Sequence, residues 1–268
     1  MKFALAALLV AVLAVPSAYA KADYHGLPPA GAAAQGAGKI AVCAACHGVN
    51  GIGMSPVYPN LAGQQYNYIL KELENFRSGA RKSSIMSGMA MTIAPAPHHA
   101  NLKDIAAYFA GLEPMWAVAG RQSAPVGPAA QMALGKIIYE RGVAADNIPA
   151  CAACHGLSAE GNGPMAIPAL AGQHAAYMVT QLEQFASGKR TNSPGRVMYT
   201  IARALTAAQT NAVADYLQSL DPRSTLGIGP KDLKAYARTL ESHGVVHDTN
   251  SIRPAPAARS AAPRAKAH

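Results

Sequence analysis

Two histidines and four cysteines, set at one repeated spacing, carry the chemistry this chain can do. Cys43-Ala44-Ala45-Cys46-His47-Gly48 recurs letter for letter as Cys151-Ala152-Ala153-Cys154-His155-Gly156, and the two copies contain all 4 cysteines of the protein. Two thiols three residues apart, followed directly by an imidazole, make the pattern of c-type haem attachment. The thiols add across the two vinyl groups of haem, and the adjacent histidine is delivered to the iron as an axial ligand. A C-x-x-C pair alone could also be half a zinc site or a redox dithiol. Duplication, the use of every cysteine and an export-like N-terminus weigh against both. Cys43, Cys46, Cys151 and Cys154 are therefore the candidate thioether positions, and His47 and His155 the candidate axial ligands. The expected cofactors are two covalently bound haem c groups.

Such motifs need a scaffold, and the chain contains two of one kind. Gly38-Lys39-Ile40 precedes the first motif as Gly135-Lys136-Ile137 precedes the second, whose approach, Tyr139 to Pro149, is longer and reads as a loop insertion. Downstream, Pro59-Asn60-Leu61-Ala62-Gly63-Gln64 answers Pro168-Ala169-Leu170-Ala171-Gly172-Gln173. The register then holds through Tyr68 with Tyr177, Leu73 with Leu182, Phe76 with Phe185 and Gly79 with Gly188. Repeats of about 80–90 residues are whole domains rather than solenoid units. Within each, Ile69, Leu70, Leu73 and Phe76, and their counterparts Tyr177, Met178, Leu182 and Phe185, trace an amphipathic helix. Closing helices are expected around Asn101–Leu112 and Thr206–Leu220, the latter with Thr206 as N-cap. No strand-like alternation of useful length occurs, so the fold class is all-α.

The remaining segments read from composition. Lys2, the apolar run Phe3–Val15 and Ala18-Tyr19-Ala20 make residues 1–20 a cleavable signal peptide, since about 13 apolar residues fall short of the roughly 20 that span a bilayer. Residues 21–35 are expected to be an irregular lead-in, 36–112 the first domain, 113–130 an exposed Gly/Pro-rich linker, and 131–221 the second domain. Residues 222–268 form a basic extension, expected to hold one short helix at Pro230–Ser242 and then to be disordered. Of the formal net charge of +9, residues 36–221 contribute thirteen Lys and Arg against ten Asp and Glu, whereas 222–268 contribute eight against three. Aromatic residues make up only 6% of the chain, and no basic patch is interleaved with stacking residues, which excludes a nucleic-acid binder.

With these elements in view, the chain resembles the dihaem cytochrome c4 family, two class I cytochrome c domains in tandem. The paired C-A-A-C-H-G motifs, the P-x-L-A-G-Q segments, the tyrosine-bearing helices after them and Arg190-Thr191-Asn192 carry the resemblance over about residues 36–221. It implies a methionine thioether as the sixth iron ligand of each haem, which raises the potential relative to two histidines. In the second copy the position is Met198, seven residues before Leu205-Thr206; Met165 follows the haem motif too soon. In the first, Met86, Met89 and Met91 share one loop, and Ile85-Met86-Ser87-Gly88-Met89 looks like the ligand loop of the family, favouring Met86. That choice implies about four extra residues around Pro95–Ala100, containing His98 and His99, which read as solvated loop histidines. The resemblance also sets the backbone carbonyls of Pro59 and Pro168 against the Nδ1–H of His47 and His155, fixing the tautomer. Arg81 and Arg190 would face haem propionates or be solvated.

Irons saturated by His and Met exchange single electrons and leave no open position for peroxide. The expectation is an electron carrier, not an enzyme, in the periplasm. Its donors would be a quinol-oxidising complex or a dehydrogenase, its acceptor a terminal oxidase, with peripheral membrane attachment through the basic extension. The alternatives are a cytochrome subunit of a periplasmic dehydrogenase complex and a dihaem peroxidase-like enzyme.

Overall fold

A computed structural model describes residues 28–93, 100–119 and 127–222. The expected signal peptide at 1–20, residues 21–27 of the lead-in, His98 and His99 with nearly all of the expected extra loop, residues 120–126 of the linker and the extension after residue 222 lie outside these residues. Among the described residues the structure is helical, with two isolated β-bridges, Val143–Ile148 and Asn162–Ile167. No helix among them is long and apolar enough to cross a membrane.

The first domain comprises α1 (Ala32–Ala37), α2 (Ala41–His47), α3 (Tyr66–Ser78), α4 (Met86–Ile93) and α5 (Ala100–Ala110). After α6 (Met115–Ala119), the second repeats the plan with α7 (Ala129–Arg141), α8 (Ala152–His155), α9 (Ala175–Ala186), α10 (Val197–Ala204) and α11 (Ala207–Ser219). The apolar stripe of α3 forms a core with α5 through Ile69, Leu70, Leu73, Leu102, Ile105 and Phe109. Ile138, Tyr139, Met178, Val213 and Leu217 build its equivalent from α7, α9 and α11. Helix α3 ends where Gly79 turns left-handed at φ 78°, and α11 starts in a capping box in which Thr206 and Gln209 each bond the other's backbone N–H.

The lead-in is not wholly irregular. Its last turns form α1, which crosses α5, with Ala32 buried in the contact. A Cβ on Gly36 would lie 2.2 Å from the Asp104 carbonyl oxygen, and one on Gly135 2.0 Å from that of Ala212, where α7 crosses α11. The glycine that answers Gly135 is therefore Gly36. Gly38, whose added Cβ would meet nothing closer than 3.8 Å, merely follows the helix. Similar letters mislead here because steric need, rather than the shared Gly-Lys-Ile, determines the equivalence.

Nor is the linker exposed throughout. Met115 and Ala117 are buried, and the Met115 N–H donates to the Ala62 carbonyl at 2.9 Å. Met115 joins Ala62 of the first domain and Ala169 of the second in a small apolar cluster. Pro114 and the glycines suggest a solvated loop, yet Met115-Trp116-Ala117 is apolar enough to be drawn between the domains.

Candidate haem sites and the interface between them

Each motif ends a helix and aims its histidine inward. Gly48 and Gly156 follow immediately, at φ 73° and 85°, and donate their N–H to the carbonyls of Ala44 and Ala152. A side chain would not fit: a Cβ on Gly48 would meet the Ile52 oxygen at 2.3 Å, and one on Gly156 the Glu160 carboxyl carbon at the same distance. The loop then returns across the histidine. Leu61 and Ala62 both donate to the Gly51 carbonyl, and Leu170 and Ala171 to that of Ala159. This brings Pro59 and Pro168 against the rings. His47 Nδ1 lies 2.9 Å from the Pro59 oxygen, and His155 Nδ1 3.0 Å from the Pro168 oxygen. With Nδ1 donating, Nε2 is the nitrogen left to ligate. Burial pulls both imidazoles below their ordinary pKa, the carbonyl bonds opposing it, so the neutral, ligating form is favoured.

All four thiols are unpaired; Cys43, Cys46 and Cys151 are half-buried and Cys154 is exposed. Burial pushes the Cys43 thiol up and the Cys151 thiol up to about 11, opposite to the lowered values of redox dithiols. Among the described residues no three His, Cys, Asp or Glu side chains converge as the ligands of a bare metal ion would. Haem suits the arrangement: two unpaired thiols precede a fixed imidazole in each motif, and large apolar side chains near the first motif (Val42, Val49, Met54 and Val57) stand exposed, as a large apolar group could cover.

The methionines separate by environment. Met86 opens α4, packs against the first-domain core, and its N–H donates to Ser83 Oγ at 3.1 Å. Met198 takes the second position of α10, half-buried, its N–H donating to Ser193 Oγ at 3.2 Å. Met89 is half-buried on α4, while Met91 and Met165 are 55% and 64% exposed.

Arg81 and Arg190 are not solvated. Both are buried where the domains meet, stacked on Phe76 and Phe185 respectively. Arg81 reaches Glu72 Oε2 at 2.7 Å and Arg190 the same oxygen at 3.1 Å, while Gln181 Oε1 accepts from both guanidiniums at 2.6 and 2.9 Å. The tyrosine hydroxyls cross over: Tyr177 accepts from Arg81 and Tyr68 from Arg190. Burial alone would raise the Glu72 pKa, but Arg190, Arg81, Lys71 and an Asn192 hydrogen bond together hold it at about 2. Glu72, Gln181, Gln64, Gln173 and Asn60 escape a sequence reading. Their one signal is that Gln64 and Gln173, like the arginines, stand at equal places in the repeat.

Comparison with known proteins agrees with this geometry. The family model described as cytochrome c matches residues 33–113 and 132–221. Cytochrome c4 of Azotobacter vinelandii is 38% identical over 201 residues, 71% of this chain and 90% of that protein. A thiosulfate dehydrogenase electron acceptor of Thiomonas intermedia (strain K12) is 38% identical over 187 residues, 69% of this chain and 82% of its own. Reduced recombinant cytochrome c4 from Pseudomonas stutzeri superposes with a TM-score of 0.63 at 35% identity, covering 70% of this chain and 98% of that one.

Proposed function

The chain belongs to the cytochrome c family, in its dihaem c4 branch, and on that premise we propose that it is a periplasmic carrier of single electrons between redox proteins. When bound, haem supplies a one-electron Fe(III)/Fe(II) couple at each site. Cys43 and Cys46 would anchor the first haem, Cys151 and Cys154 the second. His47 and His155 would ligate through Nε2 while Pro59 and Pro168 hold their Nδ1 protons. Met86 and Met198 would each supply a thioether ligand. Met86 packs against the first-domain core and its N–H, like that of Met198, donates to a serine hydroxyl, which supports this choice over Met89 and Met91. Surplus cations, buried at Arg81 and Arg190 and half-buried at Lys71, opposed there by the Glu72 carboxylate, suit a group that brings carboxylates of its own.

The observation that carries the reading is the pairing of two such sites across one buried interface. Two oriented histidines in domains fused face to face favour transfer between haems over turnover of a substrate. The purified protein should contain two haem c groups per chain, show the weak Met-to-iron charge-transfer band at a strength for two, and lack peroxidase activity. Met198→Ala and Met86→Ala should each halve the band and lower one potential, whereas Met89→Ala and Met91→Ala should leave it intact. Loss of the band in Met89→Ala but not Met86→Ala would reassign the first ligand. Robust peroxide turnover by the fully ligated protein would overturn the carrier reading.

The respiratory partners we propose are a quinol-oxidising complex or dehydrogenase as donor and a terminal oxidase as acceptor. The relative described as a thiosulfate dehydrogenase electron acceptor favours one second reading, a cytochrome that serves a dehydrogenase directly. Reduction by a purified thiosulfate dehydrogenase, faster than by a quinol-oxidising complex, would select it. The basic segment 222–268 would add an electrostatic attraction to anionic membranes that weakens as salt rises.

A further inference from the structure

The peptide units Pro59–Asn60 and Pro168–Ala169 are gripped from both sides. On one side each carbonyl accepts from the histidine of its own domain. On the other, each N–H is held by a glutamine of the opposite domain. The Asn60 N–H donates to Gln173 Oε1 at 2.9 Å, and the Ala169 N–H to Gln64 Oε1 at 2.8 Å. The glutamines close the rings by donating Nε2 to the Asn60 and Ala169 carbonyls, both at 2.9 Å. Each Oε1 also accepts the next backbone N–H, from Gln65 or His174, so three hydrogen bonds determine the orientation of each amide rather than leaving it chosen. Both side chains are 4% exposed.

We propose that Gln173 tunes the haem of the first domain and Gln64 that of the second, as positioning residues acting across the interface. The proposal rests on the reading above, in which His47 and His155 are axial ligands. A peptide whose N–H is donated carries more negative charge on its oxygen, because hydrogen bonds in a chain polarise one another in a water-poor interior. That oxygen is the acceptor for Nδ1–H. A stronger acceptor raises the basicity of the imidazole and favours the ferric iron. In the first domain the effect is electronic rather than positional, since the Asn60 side chain independently bonds the Gly172 carbonyl and the Gly53 N–H at 2.8 and 2.9 Å. One interface thereby does two jobs: it joins the domains and lowers both potentials.

The test uses the holoprotein with Gln173→Met and Gln64→Met, which remove the bonds at similar volume, and with the Glu variants, which keep and strengthen the acceptor. Redox titration gives two potentials, and the hyperfine-shifted haem methyl resonances of the ferric protein assign each to a domain. Gln173→Met should raise the potential and move the methyl resonances of the haem on Cys43 and Cys46 more than those of its neighbour. Gln64→Met should do the reverse, and each Glu variant should shift the same haem downward. Lowered thermal stability with both potentials unchanged, or moved equally, would reduce the glutamines to structural glue and defeat the proposal. If the Met variants fail to fold, the Glu variants decide by which haem moves: a larger shift at the haem of the opposite domain supports the proposal, and an equal shift at both, as charge alone would give, defeats it. An unsubstituted protein without two one-electron haem waves would instead remove the carrier reading and this one with it.

Discussion

The two domains carry the same six-residue motif and differ where they touch. At the glutamine pair they are equal, with Gln64 and Gln173 playing one role in exchange, as in the isologous contact of a symmetric dimer. Near the pseudo-twofold axis they are not. The first domain supplies Glu72, the second Gln181 at the equivalent place, and both arginines reach both side chains. A true dimer could not do this. Two glutamates would bring two carboxylates together; two glutamines would leave two guanidiniums without an anion. Fusion into one chain frees a near-axial position to differ, and one carboxylate then serves both halves.

Breaking that asymmetry should produce the largest effect. Glu72→Gln leaves Arg81, Arg190 and Lys71 in buried surroundings without their carboxylate, and loss of one partner of a buried pair costs about 3–5 kcal/mol. Gln181→Ala, which removes neutral hydrogen bonds, should cost about 1–3 kcal/mol. Glu72→Gln combined with Gln181→Glu moves the charge across the axis and should recover most of the loss in denaturant titration. Failure to recover would mean that the carboxylate is tied to the first domain by more than the two arginines. The same carboxylate sets an acid limb. Its pKa falls from an ordinary 4.5 to about 2 on folding, so its stabilisation is complete above pH 4.5 and lost as pH drops through 2. A shift of that size corresponds to roughly 3 kcal/mol. Glu72→Gln should flatten the fall in stability between those limits.

Why this contact was illegible in the sequence, when the sites were not, follows from range. The haem motif, the prolines that hold its histidines, the stripes of α3 and α9 and the cap of α11 are local patterns, each complete within about 20 residues. The partners that tie Glu72, Gln64 and Gln173 to the other repeat lie 105 to 120 residues away. Seen alone, a glutamine after Ala-Gly is an ordinary surface residue. Helix α1 was lost for a different reason: six residues of Ala, Gln and Gly carry no amphipathic stripe, and only its crossing with α5 makes it a helix. Met115 was lost because the glycines and prolines around it outweighed a four-residue apolar run.

The helix crossings offer an intermediate test of how equal the domains are. At Gly36 and Gly135 an added methyl would run into a helix backbone carbonyl, which cannot rotate away as a side chain can. Alanine should therefore cost about 1–3 kcal/mol at each through overpacking, although it is the better helix former by about 1 kcal/mol. Gly38→Ala separates the structural pairing from the pairing by letters. Gly38 has ordinary right-handed angles and open space, so alanine there should be neutral or stabilise by about 0.4–1 kcal/mol. Equal losses at Gly36 and Gly38 in thermal unfolding would restore the Gly-Lys-Ile alignment.

The smallest difference is at the starts of the closing helices. Helix α11 begins with a local device: the Gln209 N–H donates to Thr206 Oγ1 at 3.2 Å, and the Thr206 N–H to Gln209 Oε1 at 2.8 Å. Near the start of α5 the bond is to another element, with Asn101 Nδ2 donating to the Ile93 carbonyl that ends α4, at 3.0 Å. A cap is worth about 1 kcal/mol wherever its helix sits, so Thr206→Ala should lose that amount and Thr206→Ser nearly nothing. Because the cap acts on the helix end alone, neither haem potential should move. Asn101→Ala should differ in kind. It releases α4, the helix that Met86 opens, so a modest loss of stability should come with a weaker Met-to-iron band from the first haem alone. A potential shift in Thr206→Ala, or none of the spectral change in Asn101→Ala, would show that α4 and α10 are held alike and that this difference between the domains is only apparent.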